Sequence, residues 1–132
     1  MRLFHLTFGV MIILTFLLTG QYMDIYLNHM VGVPDGLRLL YRTRHIFILF
    51  SGLLNLGLAS YLVARPSGWQ RIVQWFGSIL IVSASLLFVP AFFYDSTRGD
   101  LRSPLSHWAV YAIALGTLSH LFSGAGARKA DL

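Results

Sequence analysis

Five histidines, His5, His29, His45, His107 and His120, are the side chains of this sequence best suited to chemistry, and each falls near the end of an apolar run. Neutral imidazole is a good axial ligand for haem iron, and helical bundles hold cofactors between their helices. His45 with His107 or His29 would serve a haem b near one surface, and His5 with His120 would serve the other. Arg44 or Arg102 would then pair with the propionates through bidentate guanidinium–carboxylate bonds. One geometric objection arises at once: His107 and His120 lie about 140° apart around a helix that advances roughly 100° per residue, so one straight face cannot present both.

Other chemistry has less to build on. No HxxxH pair offers two ligands from one helical turn, so no metal site is expected. No nucleophile, base and orienting acid fall at a diagnostic spacing, so no catalytic residue is assigned, and this weighs against an enzyme. The chain has no cysteine, which removes disulfides, thiolate metal sites, covalently attached haem and thiol catalysis together.

The elements that must position these groups are read from hydropathy. Hydrophobic residues make up 56 % of the 132 positions and charged residues only 11 %, under half the usual share for soluble domains. Four apolar segments, at about 3–23, 45–63, 72–93 and 105–122, are each long enough to cross roughly 30 Å of hydrocarbon as a helix. The expected fold is all-α, an integral membrane bundle of four transmembrane helices with no soluble domain. Arg2 before the first segment resembles the start of a secretory signal, but the segment's length and the lack of a small-x-small cleavage pattern favour a retained span. Val33-Pro34-Asp35-Gly36 reads as a turn from which a helix can start ahead of the second span. Ser103-Pro104 reads as an N-cap followed by proline at the first helical position of the fourth.

The formal charge is +5. In a soluble protein this would raise nucleic acid as a partner, but the basic residues stand singly or in pairs beside apolar runs. Lipid headgroups of the bilayer fit that pattern, and nucleic acid does not. The end carrying both termini has Arg2, Arg65, Arg71, Arg128 and Lys129; the opposite end has Arg38, Arg42, Arg44, Arg98 and Arg102. The positive-inside count is therefore tied. Both termini are assigned to the cytoplasmic side of a cytoplasmic (inner) membrane because four aspartates dilute the charge of the other end.

Helical periodicity shows where polar groups converge. Tyr41, His45, Ile48, Gly52, Asn55 and Ala59 share one face of the second span, with Arg44 and Ser51 on its flank; Arg42 projects to the other side. Thr15, Thr19, Tyr22, Tyr26 and His29 continue a similar face on the first span. Unpaired polar groups are costly in hydrocarbon, so Tyr22, Tyr26, Ser51 and Asn55 are expected between helices. Arg71, Gln74, Ser78 and Ser85 share a face of the third span. Ala109, Ala112, Gly116 and Ser119 form a small-residue strip on the fourth, suited to close packing within the chain or to self-association.

Three functions follow as expectations. The first is a non-catalytic accessory, assembly or scaffold subunit with a membrane-protein partner. The second is a b-type haem electron carrier using His45, His107, His29 and Arg44. The third is a small transporter or channel subunit, for which Asn55 near mid-span on the face of His45 is the motive.

Overall fold

The computed structural model describes residues 1–65, 68–97 and 103–124. The sequence readings that involve Arg98, Arg102, Arg128 and Lys129 lie outside the described residues. Four helices follow one another: α1 (Arg2–Ile25), α2 (Asp35–Tyr61), α3 (Gly68–Thr97) and α4 (Pro104–Gly124). Among the described residues there is no strand. Each helix covers one of the four expected segments, except that α2 ends at Tyr61, two residues short of the expected limit, and begins well ahead of its apolar run, directly after Pro34.

The first connection corrects the reading of His29. The expected face on the first span runs through Tyr26 to His29, but α1 stops at Ile25 and a single 3-10 turn covers Asn28–Met30. Asn28, His29 and Met30 have φ of 44°, 54° and 65°, a left-handed conformation that cannot continue a right-handed helix. This turn swings Met30 inward, where it is buried with the core, and leaves His29 outside beside Asp24.

The helices pack chiefly as two hairpins, α1 with α2 and α3 with α4, joined along α2 and α3. Glycines permit both close approaches. A Cβ on Gly77 would stand 2.8 Å from the carbonyl oxygen of Gly116, and one on Gly116 would stand 2.8 Å from that of Gly77. A Cβ on Gly52 would meet Ile13 of α1 at the same distance. Ala109, Gly116 and Ser119 of the small-residue strip are buried within the chain, with Gly116 and Ser119 against α3 and Ala112 packed on the edge of the core.

Arg2 and Gln74 fasten the end at which α1 starts and α2 finishes. Arg2 donates from Nε to the carbonyl of Ala59 at 3.0 Å and from Nη2 to that of Ser60 at 3.1 Å. These acceptors belong to the last turn of α2, where carbonyls have no intrahelical partner and the helix dipole favours a cation. Gln74 of α3 donates to Val63 O at 2.8 Å and accepts from Arg65 N at 3.3 Å, holding the chain that leaves α2.

Two of the described helices, α1 and α3, are long and apolar enough to cross a membrane. By composition α2 and α4 fall short of that, because of the arginines at the start of α2 and the serines and histidines of α4.

Gly77→Ala should destabilise the bundle by about 1–3 kcal/mol, because its methyl meets a backbone oxygen that can move only with α4. Gly57, whose added Cβ would meet nothing within 4 Å, is the matched control: Gly57→Ala should be neutral or raise stability by up to about 1 kcal/mol. Thermal unfolding of the purified protein in detergent measures both, and equal effects would contradict the packing described.

Candidate functional site

Polar groups inside the bundle form two clusters, one in each half. The first joins all four helices. His5 of α1 is fully buried, its Nδ1 lies 2.7 Å from Asn55 Oδ1 of α2, and its Nε2 lies 2.9 Å from Ser78 Oγ of α3. Ser78 Oγ in turn lies 3.2 Å from His120 Nε2 of α4. Asn55 donates from Nδ2 to Ser51 O at 2.8 Å and to Ser85 Oγ at 3.1 Å, and Ser85 donates to Ile81 O at 2.9 Å.

One backbone carbonyl fixes the direction of this chain. Ser51 O can only accept, so the amide nitrogen of Asn55 must face it and Oδ1 must face His5. His5 Nδ1 therefore carries a hydrogen. In the neutral ring Nε2 is then an acceptor, Ser78 donates to it, and Ser78 accepts from His120 Nε2–H. Every donor on the route from His120 to Ile81 O has its acceptor, the condition under which a buried polar network contributes rather than costs stability.

The second cluster lies in the other half, where α2, α3 and α4 meet. Arg44 is 4 % exposed. It donates from Nη1 to Leu40 O at 3.2 Å and from Nη2 to Ser103 Oγ, while its Nε is buried without a partner. Asp95 of α3 is fully buried; its Oδ2 accepts from Ser106 N at 3.0 Å and from Ser106 Oγ at 2.8 Å, and its Oδ1 has no partner. Here the structure differs from the expected cap. Ser103 stands just before α4, but its hydroxyl is taken by Arg44, and Asp95 satisfies the third amide of the helix in its place. The carboxylate also lies at the positive end of the α4 dipole. His107 Nδ1 lies 2.7 Å from Ser103 O and, as that oxygen only accepts, carries the hydrogen.

The residues singled out from sequence are distributed as follows. Arg44 and His107 line one cavity between α2 and α4. His45 turns to α1 instead, its ring stacked on Phe16 with centroids 4.0 Å apart and its Nδ1 3.0 Å from Thr19 Oγ1. His29 is exposed and paired with Asp24, away from both. Ser51 and Asn55 are buried between helices, and Tyr22 packs on Phe92 and Phe93. Tyr26 is 75 % exposed and stacks only on Tyr22.

Sequence reasoning paired His5 with His120 only as ligands of a second haem, where the structure joins them through Ser78, and it assigned no site role to Ser78, Ser85 or Asp95. The spacing of Ser78 and Ser85, two helical turns apart on one face, was the available signal for the two serines; for Asp95 there was none beyond its charge. Between the two clusters lies an apolar layer of Ile48, Ala84, Phe88, Ala91 and Phe92, each at most 1 % exposed. Among the described residues no group of three metal-ligating side chains comes together. No family model, curated protein or solved structure matches the chain.

Asn55→Leu should cost about 1–3 kcal/mol because it leaves His5 Nδ1–H and Ser85 without their amide partner in a buried setting. His5→Leu should cost a similar amount. The double variant should lose less than the sum, with a coupling of about 0.5–3 kcal/mol. Additive losses in thermal unfolding would show that the two side chains do not bond.

Proposed function

We propose that the chain is a four-span integral membrane protein that acts as a non-catalytic accessory, assembly or scaffold subunit of a membrane complex. The observation that carries this reading is the inverted distribution of polarity. His5, Asn55, Ser78, Ser85, Gln74 and Asp95 are buried, whereas Leu3, Leu18, Ile25, Ile72, Leu121 and Phe122 are each more than 60 % exposed. Water would penalise such a surface, and hydrocarbon suits it.

The same distribution explains why α2 and α4 score lower in hydropathy. Their polar residues Ser51, Asn55, Ser106, Ser119 and Ser123 face the interior, so the outward faces remain apolar. Exposed Trp and Tyr side chains occur towards both ends, with Tyr61, Trp69 and Trp75 at one and Tyr26, Tyr94, Trp108 and Tyr111 at the other. Trp75 and Tyr94 are separated by about 28 Å along α3 at 1.5 Å per residue, close to the thickness of a hydrocarbon core and consistent with two interfacial belts.

Orientation gains support as well. Arg44 is buried inside the bundle and is withdrawn from the headgroup layer, which leaves more interfacial cations at the end with both termini. The positive-inside rule then favours both termini in the cytoplasm of an inner-membrane protein.

The use of the interior groups supports a non-catalytic reading. The histidine–asparagine chain is spent on bonds between helices. The apolar layer of Ile48, Phe88 and Phe92 interrupts any polar path from one cluster to the other, which argues against ion or proton conduction. His45 and His107 each have one ring nitrogen engaged by a separate neighbour.

Fractionation and a gentle pull-down test the proposal together. The protein should remain in membranes after alkaline carbonate extraction and should bring down a stoichiometric membrane partner. Release by carbonate would refute the bilayer reading, and a homogeneous preparation active alone would refute the accessory role. A Soret band that is lost in His45→Ala would instead assign the histidines to haem.

A further inference from the structure

The cavity between α2 and α4, about 250 Å³ in volume, has an unusual wall. At its inner end stand Arg44, Ser103 and Ser106, all buried; at its rim stand Phe47, Val110 and Tyr111, of which Tyr111 is 65 % exposed. The polar end therefore lies inside the bundle, and the mouth opens on the apolar exterior. A pocket of this shape takes a molecule whose head is polar and whose tail stays in hydrocarbon.

Arg44 specifies the head. Its two bonded acceptors, Leu40 O and Ser103 Oγ, are neutral, and its Nε–H is buried with no acceptor. Among the described residues no carboxylate lies within ion-pair distance of it; the ion pairs at this end are Asp24 with His29 and Asp35 with Arg38. Asp95 is near enough to act on Arg44 electrostatically, but one of its oxygens is held by Ser106 at the start of α4. A buried guanidinium that lines a cavity and whose bonded acceptors are both neutral is stabilised by an acidic oxygen brought up to its charge. His107, whose Nδ1–H is committed to Ser103 O, keeps its other nitrogen for the same head.

We propose that this cavity is a binding site for an acidic amphiphile, a phosphate- or carboxylate-headed lipid whose acid oxygen meets Arg44 and whose chain leaves between Phe47, Val110 and Tyr111. The inference rests on the membrane reading above. Asp95 sets the strength of the site, since its negative charge opposes the ligand's and limits affinity.

The full chain, purified in a neutral detergent, is titrated with phosphatidylglycerol, oleate, phosphatidylcholine and inorganic phosphate, and retained ligand is read by native mass spectrometry. Phosphatidylglycerol or oleate should be retained stoichiometrically, and which of the two binds tighter identifies the head as phosphate or carboxylate. Arg44→Gln should weaken retention about tenfold or more, as expected for loss of a charge-assisted bidentate contact. Arg42→Gln, at an exposed position on the same helix, should leave it unchanged. Asp95→Asn keeps an acceptor for Ser106 and should strengthen retention. Val110→Trp fills the mouth without touching Arg44 and should abolish it, which keeps the test decisive if Arg44→Gln does not fold. Equal retention of phosphatidylcholine, binding of inorganic phosphate alone, or full retention in Val110→Trp would overturn the proposal. Failure of the membrane reading shows separately, as protein that stays in the aqueous phase of a detergent partition.

Discussion

A buried amide that must satisfy both its ends is the constraint on which the rest of this structure depends. Asn55 sits at no exposure with an obligate acceptor, Ser51 O, on one side. Its remaining bonds can be met only by bringing His5 from α1 and Ser85 from α3 to fixed positions. His5 then requires Ser78, and Ser78 requires His120. A single side chain thereby sets the mutual register of four helices whose apolar surfaces alone would allow them to slide. In the proposed bilayer setting, where apolar contact gives little preference for one neighbour over another, such bonds and close glycine contacts distinguish one packing from the alternatives.

The two halves of the bundle use polarity differently. The network of His5 and Asn55 is closed on itself, with its donors and acceptors matched. In the other half Arg44 Nε and Asp95 Oδ1 are buried without partners, and Arg44 lines a cavity. Phe88 and Phe92 separate them, so the charged half is insulated from the histidine chain.

The helical architecture was legible from the sequence because apolar runs of the right length leave few alternatives to helices; the turn expected over Val33–Gly36 lies earlier, at Val31 and Gly32, and Asp35 and Gly36 already belong to α2. The polar face from Arg44 to Asn55 was legible from the 3.6-residue period. What escaped were facts that periodicity along one helix cannot hold. Whether His45 meets α1 or α4 depends on interhelical rotation, which the glycine contacts determine. His29 was misjudged because a helical wheel carries on through residues whose backbone has already turned left-handed. Asp95 was invisible as a cap because it lies on a different helix from the amide that it satisfies.

The hydrogen on His5 tests this account most directly. Nitrogen NMR of the isotope-labelled histidines in the detergent-solubilised protein should show a hydrogen on His5 Nδ1, with that signal changed by Asn55→Leu, because Asn55 Oδ1 can only accept. A neutral His5 bearing its hydrogen on Nε2 would contradict it: Asn55 would then be without its donor, and the bond that sets the register of the bundle would not exist.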